Sequence, residues 1–114
     1  MAGKFLKTLT ISTPDVPVQL SALMAAADST TDLHIAEIVA FGDEANTDVI
    51  YMGDASMVSP GAGVAPVNYA WKFQGSSNPY VNGRGAMNNA VHTTDYWLMV
   101  TAAPQKIHVD TRVV

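Results

Sequence analysis

Lys106-Ile107-His108-Val109-Asp110-Thr111-Arg112-Val113 alternates apolar or β-branched residues with polar or charged ones, step for step. A period of two puts Ile107, Val109, Thr111 and Val113 on one face of a strand, with Lys106, His108, Asp110 and Arg112 on the other. The same period recurs upstream. Phe5 to Ser12 sets Leu9 and Ile11 against Thr8, Thr10 and Ser12, and Leu33 to Phe41 sets Leu33, Ile35, Val39 and Phe41 on one side. Val16, Val18, Leu20 and Ala22 also alternate, with Pro17 confining that strand to an edge. Val49 to Gly53 is short and β-branched, and Asn68 to Gln74 presents Tyr69, Trp71 and Phe73 together. Tyr96 to Ala102 is nearly all apolar, as a strand buried on both faces would be.

Clusters of Pro, Gly, Asn and Asp separate these runs: Thr13-Pro-Asp, Phe41-Gly-Asp-Glu-Ala-Asn, Ser59-Pro-Gly-Ala-Gly, Gly75-Ser-Ser-Asn-Pro, Asn82-Gly-Arg-Gly and Ala103-Pro-Gln. Gln19 to Asp28, with Leu20, Leu23 and Met24 among alanines, is the one segment suited to a short helix. The expectation is an all-β fold, a compact β-sandwich or small barrel of about seven to eight short strands with at most one short helix.

At 114 residues the chain is sized for a single domain spanning 1–114. Hydrophobic residues supply 48% and charged residues only 14%, against about 25% charged in ordinary soluble domains. That balance argues against disorder and for surface covered by other protein. A net charge of -4 with scattered basic residues gives no footprint for nucleic acid. The absence of cysteine excludes disulfides, thiolate catalysis and cysteine-held metal. Lys7, Thr8 and Thr10 interrupt the start, so no secretory signal is expected, and no run approaches the roughly 20 apolar residues of a membrane helix. A soluble protein made in the cytoplasm is expected.

Candidate chemistry is sparse. His34, His92 and His108 lack the close spacing that builds a divalent site, although a metal-dependent enzyme assembled from all three is a possible rival reading. Gly53-Asp-Ala-Ser-Met-Val lacks the closing glycine of a nucleophile elbow. Asp43, Glu44 and Asp48 cluster in a turn, where carboxylates serve local hydrogen bonds. Tyr69, Trp71, Phe73 and Trp97 read as core, with a sugar-binding aromatic face as the alternative. No catalytic, cofactor-binding or metal-binding residue is predicted. Gly75 to Thr94, rich in Asn, Gly and Ser, reads as a long contact loop. Within it Tyr80, Arg84 and Met87 are the interface candidates, being side chains of the kinds enriched where proteins meet.

Asn46-Thr-Asp-Val-Ile-Tyr-Met-Gly-Asp-Ala-Ser-Met-Val-Ser, followed by Gly63-Val-Ala-Pro, resembles a pattern in small structural proteins of tailed-bacteriophage virions. Leu33 to Ala40 stands where those proteins have an earlier strand, and Lys106 to Asp110 where they have a closing one. The resemblance covers Leu33 to about Pro66; the Gly75 to Thr94 stretch and the longer first part of the chain depart from it. It implies a compact, non-catalytic β-sandwich of the virion, foremost a capsid decoration (cement) protein that binds and stabilises the assembled head. The implied partner is the major capsid protein or another virion protein, with self-association, foremost as a trimer. A tail, head–tail junction or fibre component is the alternative within the particle, and a small carbohydrate- or receptor-binding module is the alternative outside it. No binding residue transfers by motif.

Overall fold

The computed structural model describes residues 4–28, 34–83, 91–92 and 95–113. Among them the chain forms β1 (Lys4–Ile11), β2 (Val18–Gln19), α1 (Leu20–Asp28), β3 (His34–Gly42), β4 (Ile50–Val58), β5 (Val67–Phe73), β6 (Tyr80–Gly83), β7 (Val91–His92), β8 (Trp97–Val100) and β9 (Gln105–Val113). All pairings are antiparallel. One sheet runs β1-β9-β3-β6 and the other β2-β8-β4-β5. β7 pairs with His34 and Ile35 of β3, and β6 pairs with Glu37 to Ala40 further along, so these two short strands share one place at the sheet's edge. The result is a β-sandwich four strands wide in each layer, not a closed barrel.

The quoted alternation of β9 does what its period requires. Ile107, Val109 and Thr111 are buried, and so is Gln105, one step earlier on the same face. They meet Leu9 and Ile11 of β1 and Ile38 and Ala40 of β3 within the first sheet, facing Ile50, Met52, Phe73, Leu98 and Val100 of the second. β8 is buried on both sides: Leu98 and Val100 enter this core, whereas Met99 is buried outside it, on the other face of its sheet.

Three local expectations need correction. The Val16 to Ala22 strand contracts to Val18–Gln19, at the sheet edge where Pro17 allows it, because Leu20 and Met24 reach the core together only with helical spacing. The first helical turn's Leu20 N–H is satisfied by the Tyr96 carbonyl at 2.8 Å. On β3 the inward residues are Ile38 and Ala40, while Phe41 is exposed, the reverse of the predicted face. The cause is a bulge: Ile35 pairs with Val113 but Glu37 with Arg112, and an extra residue on one strand flips the faces beyond it. On β5 only Phe73 is fully buried and Trp71 packs partly against the core, whereas a register shift between Met52 and Gly53 turns Tyr69 to the outer face, where its ring meets Tyr51 at 4.9 Å.

Candidate functional site

Tyr80 belongs to β6, opposite Ala40, within the stretch predicted as a loop; that stretch also contains β7. Its ring meets Trp71 edge-on at 5.4 Å and Tyr96 at 5.8 Å, sealing one border of the core. The other interface candidates, Arg84 and Met87, lie outside the described residues. His34 and His92 are in register across β3 and β7, while His108 stands on β9. Among the described residues no group of three or more His, Asp or Glu is arranged to hold a metal ion.

His108 has a role that the sequence spacing did not reveal. Thr8, His108 and Phe41 are in register across β1, β9 and β3, so they form a row on the outer face of the sheet. The imidazole stacks on Phe41 at 4.9 Å. Its Nε2 lies 2.8 Å from Asp43 Oδ1, and its Nδ1 lies 2.8 Å from the Thr8 hydroxyl. A carboxylate only accepts, so Nε2 carries the proton in the neutral ring and Nδ1 accepts from Thr8. Asp43 Oδ2 also accepts the Ala45 N–H at 3.0 Å. These hydrogen bonds, His108 first, hold the Asp43 carboxyl below its ordinary value.

Hydroxyl, imidazole and carboxylate in sequence is the order of a nucleophilic relay, beside a hollow of about 240 Å³ lined by Lys7, Thr8, Phe41 and His108. In the nucleophile-elbow form of such a relay the hydroxyl stands on a sharp strand-to-helix turn. Thr8 instead lies within an unbroken ladder between β1 and β9. The arrangement ties the β3–β4 connection to two strands.

Two amides complete that tie. Asn46 accepts the Lys106 N–H and donates to the Lys106 carbonyl, each at 2.8 Å. Buried Gln105 accepts the Thr47 N–H at 3.0 Å and donates to Thr47 Oγ1 and the Ala102 carbonyl. Extending the β9 alternation one step back would have flagged Gln105 as an inward polar residue.

The second sheet carries further surface features. β4 and β5 pair from Ile50 to Gly53, then resume only at Val58 and Val67, so residues 54–57 arch outward opposite Asn68. Asn68 has φ 67° and donates to the Ser56 carbonyl at 3.2 Å, bracing the arch. Met57 folds back to be buried against Gly53, where a Cβ would come within 3.3 Å of the Met57 sulfur and 3.0 Å of the Asn68 carbonyl oxygen. Beyond the arch Val58, Val64, Val67 and Tyr69 are 52%, 50%, 47% and 41% exposed. Val58 and Val67 are in register at the β4–β5 end, the Tyr69 ring meets Tyr51 edge-on at 4.9 Å further along, and among the described residues β5 is the edge strand of its sheet.

The arch also borders a hollow of about 360 Å³ lined by Asp54, Ala55, Ser56, Asp95 and Trp97. Trp97 was expected in the core. Because Leu98 and Val100 take the inward positions of β8, it lies instead half-buried on the outer face, in register with Gly53. Asp54 Oδ1 accepts both the N–H and the hydroxyl of Ser56, which hold its carboxyl below the ordinary range. A smaller neighbouring hollow, about 170 Å³, shares Asp54 and Asp95 with the first and reaches Tyr80 and Tyr96.

No family model, curated protein or solved structure matches this chain. The residues that carry the phage-virion resemblance have evident structural duties: Asn46 clamps β9, and Gly53 admits Met57 at the foot of the arch.

Proposed function

We propose that this chain is a non-enzymatic virion structural protein, foremost a decoration protein that binds and stabilises an assembled phage head. The observation that carries the reading is the exposed apolar pair Val58 and Val67, in register at the edge of the second sheet with exposed Val64 in the connection between them, on a chain with only 14% charged residues. Exposed apolar neighbours suit a surface that another protein covers. The sandwich behind them supplies a rigid support, and the pattern at Asn46 to Ser59 supplies the virion context. Binding only the assembled lattice would stabilise it by mass action. Closed symmetry favours a homo-oligomer, and the three-fold positions of a capsid favour a trimer.

The test is cosedimentation of the purified chain with heads of the phage that carries this sequence, prepared from a strain lacking the gene. Saturable binding that stabilises the heads against heat supports the reading. A chain that stays in the supernatant, or that binds only tails, contradicts it.

A further inference from the structure

The geometry points to Thr8 as an activated hydroxyl that accepts a short acyl group from an activated ester or thioester, with His108 as the base. The event is one covalent transfer per chain, not turnover, so it goes beyond the lattice-binding reading and does not rest on it.

An elbow is one way to present a nucleophile, and an edge strand is another. Among the described residues β1 is the edge of its sheet, and Thr8 is exposed on it. A nucleophilic hydroxyl needs a base within hydrogen-bond reach and a third group that orients the base. Thr8 Oγ1 is 2.8 Å from His108 Nδ1, and His108 Nε2 is 2.8 Å from Asp43 Oδ1. Each group has its own anchor. The ladder from Lys4 to Ile11 fixes Thr8, the Phe41 ring stacks on the imidazole, and the Ala45 N–H holds the second carboxylate oxygen. These bonds favour the ionised form of Asp43, which is the form that stabilises an imidazolium. A purely structural tie needs only a donor and an acceptor, whereas an imidazole between hydroxyl and carboxylate also supplies a base.

The step balances among these groups. Thr8 Oγ1 attacks the ester carbonyl carbon as its proton passes to His108 Nδ1, and the carbonyl π pair moves onto oxygen. Asp43 stabilises the imidazolium through the Nε2–H. The carbonyl then re-forms, the bond to the leaving alkoxide or thiolate breaks, and that group takes the proton from Nδ1. Thr8 is left as an ester and His108 as the neutral ring. Lys7, in the lining of the same hollow, brings a positive charge to the site in which the oxyanion forms. Phe41, 36% exposed, gives the acyl group an apolar wall, and a hollow of about 240 Å³ suits a short one.

The test exposes the purified full chain to p-nitrophenyl acetate, quenches it in acid at intervals and locates acetyl groups by tandem mass spectrometry. Acetylation of Thr8 should be at least about 100-fold faster than that of N-acetylthreonine amide, and alkaline hydroxylamine should remove the label as it does an ester. Thr8→Ser should keep the reactivity, Thr8→Val should abolish it, and His108→Gln should slow it at least about 100-fold. Asp43→Asn leaves Nε2 an acceptor but removes the charge, so labelling of Thr8 should slow roughly tenfold or more. No acetyl on Thr8 of the parent chain, acetyl groups confined to lysines, or a Thr8 rate no faster than the free amide's would each overturn the proposal. So would labelling of Thr8 that His108→Gln leaves unchanged. The parent-chain outcomes decide the matter by themselves, so a variant that fails to fold takes nothing from the test.

Discussion

Asn46 pairs with Lys106 through both backbone groups, its side-chain oxygen accepting the N–H and its nitrogen donating to the carbonyl, each at 2.8 Å. β3 ends at Gly42, opposite Ile107, and just beyond it the Asp43 N–H still bonds the Lys106 carbonyl at 3.0 Å, while the Lys106 N–H turns to the Asn46 side chain. The amide of Asn46 completes the pairing at this position. It thereby fixes where the chain leaves one sheet for the other.

Replacing this amide therefore costs more than an exposed side chain should. Asn46→Ala leaves the Lys106 N–H without its protein partner, and a destabilisation of about 1–2 kcal/mol is expected. Urea unfolding with an unchanged slope measures it. A change below about 0.5 kcal/mol would show that water replaces the amide without loss.

Acid should act through Asp43. Its carboxyl is held below its ordinary value of 3.8 by His108 and the Ala45 N–H, so the folded state binds a proton less readily than the unfolded one. The resulting stabilisation is present above pH 3.8 and is lost as pH falls through the depressed folded value. Parent and Asp43→Asn chains, melted at falling pH from about pH 7, should differ above pH 3.8 and draw together only as pH falls below it. A constant difference would contradict this.

Gly42 and Gly61 form a matched pair. A Cβ on Gly42 would collide with the Gly75 carbonyl oxygen, a backbone atom that cannot swing aside, whereas nothing lies within 4 Å of a Cβ on Gly61. Gly42→Ala should cost about 1–3 kcal/mol and Gly61→Ala should stay within about 0.5 kcal/mol of the parent. Denaturant unfolding of the two variants side by side checks both.

Val67→Lys should separate binding from folding. Val67 is 47% exposed at the start of an edge strand, so a lysine there costs the fold little. It places a charge opposite Val58, its register partner, and should reduce head binding at least tenfold with an unchanged melting temperature. Light scattering of the parent chain should give the mass of a trimer, and any self-association that uses this edge should also fall in the variant.

Much of the fold was legible because alternation reports burial directly. Leu9, Ile11, Ile107 and Val109 all face where their period sends them. Val39 and Phe41 do not, since the bulge between Ile35 and Glu37 reverses the parity and leaves no mark in the hydrophobic pattern. Trp71 and Phe73 share the inward side, but the register shift between Met52 and Gly53 turns Tyr69 to the other face, again without a mark in the hydrophobic pattern. The candidate site was less legible. Trp97 sits in an apolar run, and only the choice of Leu98 and Val100 as the inward pair turns it outward. Thr8, Asp43 and His108 meet because β9 lies between β1 and β3, a strand order that local spacing does not encode.

The central claim is that this chain coats a head lattice. Quantitative mass spectrometry of purified particles tests it most directly, with the major capsid protein as the internal standard. The expected result is a copy number commensurate with the lattice, with the chain recovered on heads separated from tails. A copy number matching a single ring at the tail, or particles without the chain, would contradict it.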